Sequence, residues 1–202
     1  MHTQEPSIMS KLSRDQLMTL EAYAKARPEM RAQVMAHKKD RTIALGDHVT
    51  LIFEDELTMR YQIQEMLRVE RIFEEAGIQD ELDAYNPLIP DGTNWKATML
   101  IEYPDVEERQ VMLGRLKGIE DKLWVQAAGQ AKIYALADED MERANEEKTS
   151  AVHFIRFEFD AASIAAIKAG TAIAIGVDHP EYTSQIAALP ERVRASLAQD
   201  MA

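Results

Sequence analysis

Strict alternation of apolar and polar residues marks the clearest strand. Over 95–103, Trp95, Ala97, Met99, Ile101 and Tyr103 share one face, while Lys96, Thr98, Leu100 and Glu102 share the other. A period of two is that of a strand with one face in a core. Residues 150–159 repeat it, with Ala151, His153, Ile155, Phe157 and Phe159 on the apolar face and Val152, Phe154, Arg156 and Glu158 opposite. Residues 42–53 read as a hairpin turning at Gly46-Asp47, and 122–127 with 131–137 as a second hairpin around Gly129. A further strand is expected over 171–178.

Between these segments the spacing changes to that of helices. Ser13 with Gln16 three residues on, and Leu12 with Leu17, form a capping box and hydrophobic staple. They predict a first helix that stops near Arg27. Pro28 then opens a second helix running to about Lys39. Asp55 caps the longest predicted helix, 56–76, which Gly77 terminates. Short helices follow to Ala84, from Asp105 to Lys117, over 161–169, and from Pro190 onward, with a charged helix or loop over 138–148. The run Asn86–Asn94, with two prolines and a glycine, is a rigid loop. Hairpins mixed with helices predict an α+β fold: one domain over 12–202 with a mixed, largely antiparallel sheet and packed helices, preceded by a loose tail at 1–11.

Composition narrows the function. A net charge of -12, with no long basic run, argues against nucleic acid and anionic membranes as partners. Acidity favours solubility and a basic protein partner. The absence of cysteine excludes disulfides, thiolate nucleophiles and self-ligated iron–sulfur clusters. Residues Met1–Leu12 hold no apolar signal core and no apolar run reaches transmembrane length, so a cytoplasmic location is expected.

Five segments carry a resemblance: FEDELTMRYQIQEMLRVERIFEE at 53–75, AYNPLIPDGTNWKATMLIEYPD at 84–105, IEDKLWVQ at 119–126, EKTSAVHFIRFEF at 147–159 and GVDHPEY at 176–182. Together they resemble an uncharacterised bacterial family, a domain of unknown function, over most of the chain from about Leu12. The resemblance transfers no catalytic residue. It implies a genomic neighbourhood of rubrerythrin and a heterodisulfide-reductase-like iron–sulfur protein, and so a link to peroxide defence or electron transfer.

On a wheel of the long helix, turning about 100° per residue, Met59, Ile63, Met66, Leu67, Val69 and Phe73 form an apolar arc. Glu70 falls inside it and Glu74 at its edge, whereas Gln64 points elsewhere. A buried carboxylate needs a cationic partner, takes up a proton, or is less buried than the wheel implies. His153 sits on an aromatic strand face, as a hydrogen-bonded core residue or as a ligand. His179, in Asp178-His179-Pro180, ends a strand, either in turn chemistry or at a site. Glu70, Glu74, His153 and His179 would make a nitrogen/oxygen site for iron, manganese or zinc if the fold gathered them. His48 and His37 have weaker claims. No phosphate loop, dinucleotide fingerprint or GxSxG elbow occurs. Asp138, Asp140 and Glu142 fail as a calcium loop, because the glycine position holds Arg143.

Three functions are therefore expected, in this order: an accessory, partner-binding protein of a redox or peroxide-stress pathway; a metal-dependent enzyme or metal-binding protein; and a domain binding a small molecule between helix 56–76 and the sheet. A homodimer is a further expectation, since exposed strand edges need cover.

Overall fold

The structure, a computed structural model, describes residues 11–137 and 148–202. The acidic stretch considered as a calcium loop, and all of the expected tail except Lys11, lie outside the described residues.

Two four-stranded antiparallel sheets carry the fold. The first orders β1 (Thr42–Leu45), β2 (Val49–Glu54), β3 (Asn94–Ile101) and β6 (Val152–Glu158). The second orders β5 (Ile133–Tyr134), β4 (Leu123–Ala127), β7 (Ile173–His179) and β8 (Tyr182–Ile186). The α+β class is therefore as expected, with the strands divided between two sheets. The apolar faces meet in one core, which holds Leu51, Phe53, Trp95, Met99 and Phe157 from the first sheet and Leu123, Val125, Ile175 and Val177 from the second. Pairing and register follow from the alternation: Trp95 stands opposite Phe157, and Met99 lies between Leu51 and His153.

Two flanks of the sheets are closed within the chain. Leu136 and Arg156 exchange both backbone hydrogen bonds at 2.9 Å, which joins the end of β5 to β6. On the other flank, the Tyr182 hydroxyl of β8 donates to the Leu45 carbonyl at 2.6 Å and accepts from the His48 amide at 3.1 Å. Gly46 makes room for it: a Cβ there would lie 2.5 Å from that hydroxyl, and its φ of +72° suits glycine. Strand β8 has no counterpart in the sequence reading. Polar Thr183, Ser184 and Gln185 occupy most of it, as an edge strand tolerates.

Helices cover the outer face of the first sheet. The predicted pair divided at Pro28 is one helix, α1 (Leu20–Lys38), capped by Thr19 and containing Pro28. The proline removes one amide donor, and the packed helix spans the gap. Ser13 and Gln16 do form their capping box, on a 3-10 turn at Arg14–Gln16. Helix α2 (Glu56–Glu70) starts at Asp55 as expected, and α3 (Glu75–Tyr85) follows. Met59, Ile63 and Leu67 of α2 form a second cluster with Ile78 and Leu82 of α3 and Leu12 and Leu17 of the N-terminal turn, against which Phe154 of the sheet packs. Helices α4 (Val106–Arg115), α5 (Ala161–Lys168) and α6 (Glu191–Ala198) add Leu113, Ile167, Val193 and Leu197 to the first core.

Candidate functional site

The long predicted helix breaks. Arg71 adopts the left-handed conformation, φ 55° and ψ 42°, and ends α2. For a residue with a Cβ this costs on the order of 1–2 kcal/mol. Gly77, expected as the terminator, lies inside α3 instead. A Cβ there would come within 2.8 Å of the Ile72 side chain, so the glycine serves a close approach. Phe73, beyond the break, is 73% exposed, and Val69, before it, is 58% exposed, where the wheel placed both inside. Gln64, expected outside, is buried, accepting from the Met18 amide at 2.6 Å.

Glu70 is exposed at the end of α2, and Glu74 is the exposed N-cap of α3. His153 is buried in the core face of β6, with Nε2 2.9 Å from Thr149 Oγ1 and 3.0 Å from the Ser150 carbonyl. At His179, Nε2 donates to the Lys117 carbonyl at 3.1 Å and Nδ1 accepts from the Glu181 amide at 3.2 Å. Both ring nitrogens are thereby engaged in holding the β7–β8 turn. The four residues proposed from sequence lie on a helix end, a helix cap and two different sheets. Among the described residues no three His, Cys, Asp or Glu side chains gather where a metal ion would sit.

The carboxylate that does need a partner on α2 is Glu65. Arg27 of α1 donates from Nε and Nη2 to its two oxygens at 2.7 and 2.9 Å, and the Tyr23 hydroxyl donates at 2.7 Å. Arg68 adds two longer bonds. The Arg27 hydrogen bonds lead in holding the Glu65 pKa down at about 2, against the effect of burial. Burial and the Glu65 carboxylate push the Tyr23 phenol up. Glu65 shares a helix face with Tyr61 and Arg68, at i−4 and i+3, a spacing legible in the sequence.

A second buried ionic group ties the C-terminal helix to the β1–β2 hairpin. Arg41 is 1% exposed. It donates to both oxygens of Asp200, at 3.2 and 2.5 Å, and to the carbonyls of Phe53 and Glu54. Asp55 lies 3.5 Å away and is bonded in turn by His37. Burial, followed by the charge of Asp55, outweighs the pull of Arg41 and raises the Asp200 pKa to about 6. Asp55 moves the other way: burial is the largest influence and raises it, but Arg41, the Thr58 amide and His37 together hold it low.

The surface of the helical layer is different. Two hollows meet at Met18. One, of about 240 Å³, lies between α1 and α2 and is lined by Met18, Met30, Leu57 and Arg60. The other, of about 360 Å³, is lined by Met18, Leu20, Leu67, Ile72 and Phe73. Between α2 and the sheet the second apolar cluster packs against Phe154. Arg14 and Glu21 line the second hollow, Arg71 and Glu74 line an adjoining one that shares Ile72 and Phe73 with it, and Glu70 and Asp80 bear on Glu81. Burial first, then repulsion from Glu70 and Asp80, raises the Glu81 pKa. The site that the geometry offers is thus an apolar surface centred on the α2–α3 break, with charged side chains at its edge.

Among the described residues no helix is long and apolar enough to cross a membrane. A comparison with curated proteins finds no match. Among solved structures, a crystal structure of a novel protein of unknown function from Burkholderia pseudomallei K96243 superposes with a TM-score of 0.91 at 54% identity, covering 96% of this chain and 100% of that one. The family model described as protein of unknown function (DUF3501) matches residues 11–201, and the chain belongs to that family.

Proposed function

We propose that the protein is a partner-binding protein whose α2–α3 break docks a second protein, one presenting an apolar centre and a basic rim. The observation that carries this reading is Phe73. A phenyl ring 73% exposed, next to a Val69 that is 58% exposed, wastes about 1.5–3 kcal/mol of burial per large side chain. The break that places it there needs a left-handed arginine. Aromatic residues are the usual anchors of protein interfaces. The rim chemistry follows from Glu70, Glu81 and Asp80, whose mutual repulsion a basic partner relieves. The buried ionic groups serve packing, which leaves this surface as the feature without a structural task.

The pathway attached to this reading is bacterial redox or peroxide-stress chemistry, with rubrerythrin or a heterodisulfide-reductase-like iron–sulfur protein as partner. It rests on the family resemblance alone. Mixing the purified chain with each of the two proteins tests it. Complex formation that weakens as salt rises is expected. Absence of binding to both at low salt overturns the assignment of partner. A second copy of the chain is the competing occupant of the face. A stable dimer in sedimentation that buries Phe73 would replace the docking of a foreign partner by self-association.

A further inference from the structure

Arg60 stands apart from its neighbours. On the same helical layer Arg27 and Arg68 are held by Glu65, and Arg14 by Glu75. Arg60 is half-buried, its Nε is shielded from water, and among the described residues no acceptor reaches it. Its side chain lines the hollow of about 240 Å³ between α1 and α2. A guanidinium with one donor shut off from water and no acceptor for it is destabilising; its two terminal nitrogens are not shut off, and an anion entering the hollow would meet them.

The walls select which anion. Met18, Met30 and Leu57 supply an apolar lining, and methionine adapts to varied shapes. Gln33 stands exposed at the edge as a donor and acceptor. Gln64 is already committed, because it bonds the Met18 backbone. Glu29 also lines the hollow and is exposed. One cation facing one carboxylate, on a chain of net charge -12, disfavours a doubly charged phosphate. The volume falls below the ~300–1,000 Å³ of sites for drug-sized ligands, which disfavours a nucleotide. We propose that the α1–α2 hollow binds a small monocarboxylate, its carboxyl group on the Arg60 guanidinium and its short apolar body between Met18, Met30 and Leu57. The guanidinium fork matches a carboxylate in two parallel bonds.

This inference is independent of the docking of a partner, and it is tested without one. Hexanoate is titrated into the full chain while the methyl signals of Met18, Met30 and Leu57 are followed by NMR, with hexanol and inorganic phosphate as controls. Arg60→Met keeps the bulk and removes the charge. Saturable shifts at those methyls with millimolar hexanoate are expected, weakened about tenfold or more in R60M, as the loss of a charged hydrogen bond implies. Hexanol and phosphate should bind at least about tenfold more weakly than hexanoate. The thermal midpoint of R60M is measured alongside and should equal or exceed that of the parent, because the variant removes an unsatisfied donor. Absence of saturable shifts, equal binding of hexanoate by R60M, or phosphate binding as well as hexanoate would each overturn the proposal. So would a lower midpoint for R60M, since it would show that Arg60 already has a stabilising partner.

Discussion

Arg27 and Glu65 face each other across the α1–α2 contact in a two-pronged ion pair, with nitrogen–oxygen distances of 2.7 and 2.9 Å. This pair, with the Tyr23 hydroxyl, fixes the angle at which α1 lies on α2. Glu65→Gln keeps the shape and removes the charge. It should cost about 1.5–2 kcal/mol at neutral pH, toward the low end for charged hydrogen bonds because both partners keep some contact with water. The Glu65 pKa in the fold, about 2, lies below its ordinary 4.5. Its stabilisation is therefore complete above pH ~4.5 and lost as the pH falls toward 2. Urea midpoints measured across that range should fall less steeply in the Gln variant than in the parent.

Asp200 titrates in the opposite sense. Its folded pKa, about 6, lies above the ordinary 3.8. This group's contribution to stability is full below pH ~4 and is lost as the pH rises through 6. Asp200→Asn should flatten that part of the stability profile, as urea unfolding between those limits will show. Arg41→Met removes the cation between two buried carboxylates and should cost about 3–5 kcal/mol.

The Tyr182 hydroxyl serves two backbone groups at the β1–β2 turn, the Leu45 carbonyl and the His48 amide. Tyr182→Phe leaves both without this partner and should lower stability by about 1–3 kcal/mol. Amide hydrogen exchange should rise most at His48. Unchanged protection there would show that the hydroxyl is not what closes that flank.

Elements governed by local rules were legible in the sequence. The alternation at 95–103 and 150–159 placed β3 and β6, and Asp55 and Asp105 cap their helices as their positions imply. Elements decided by tertiary contact were not. Pro28 reads as a helix boundary, yet Tyr23 and Arg27 on one side and Val34 on the other are packed or bonded as parts of one helix. Gly77 reads as a helix end, yet it admits Ile72. Strand β8 carries three polar residues in a row, Thr183, Ser184 and Gln185, so no apolar period announces it. The candidate site followed the same division. Glu70, placed inside the apolar arc, is exposed one residue before the break, and the carboxylate of α2 that cations hold is Glu65. The left-handed Arg71 turns the chain beyond it, so Phe73 does not continue the arc and is exposed.

Phe73→Ser decides the central claim, that this surface is a docking face. The parent and the variant are each titrated with rubrerythrin and with the heterodisulfide-reductase-like iron–sulfur protein, and their thermal midpoints are compared. An exposed side chain carries little folding stability, so the midpoint should be unchanged within about 0.5 kcal/mol. Affinity for the partner that binds should fall about thirtyfold or more, as loss of an aromatic anchor worth about 2 kcal/mol implies. Equal affinity of Phe73→Ser and the parent, or no binding of either protein by the parent chain, would contradict the account.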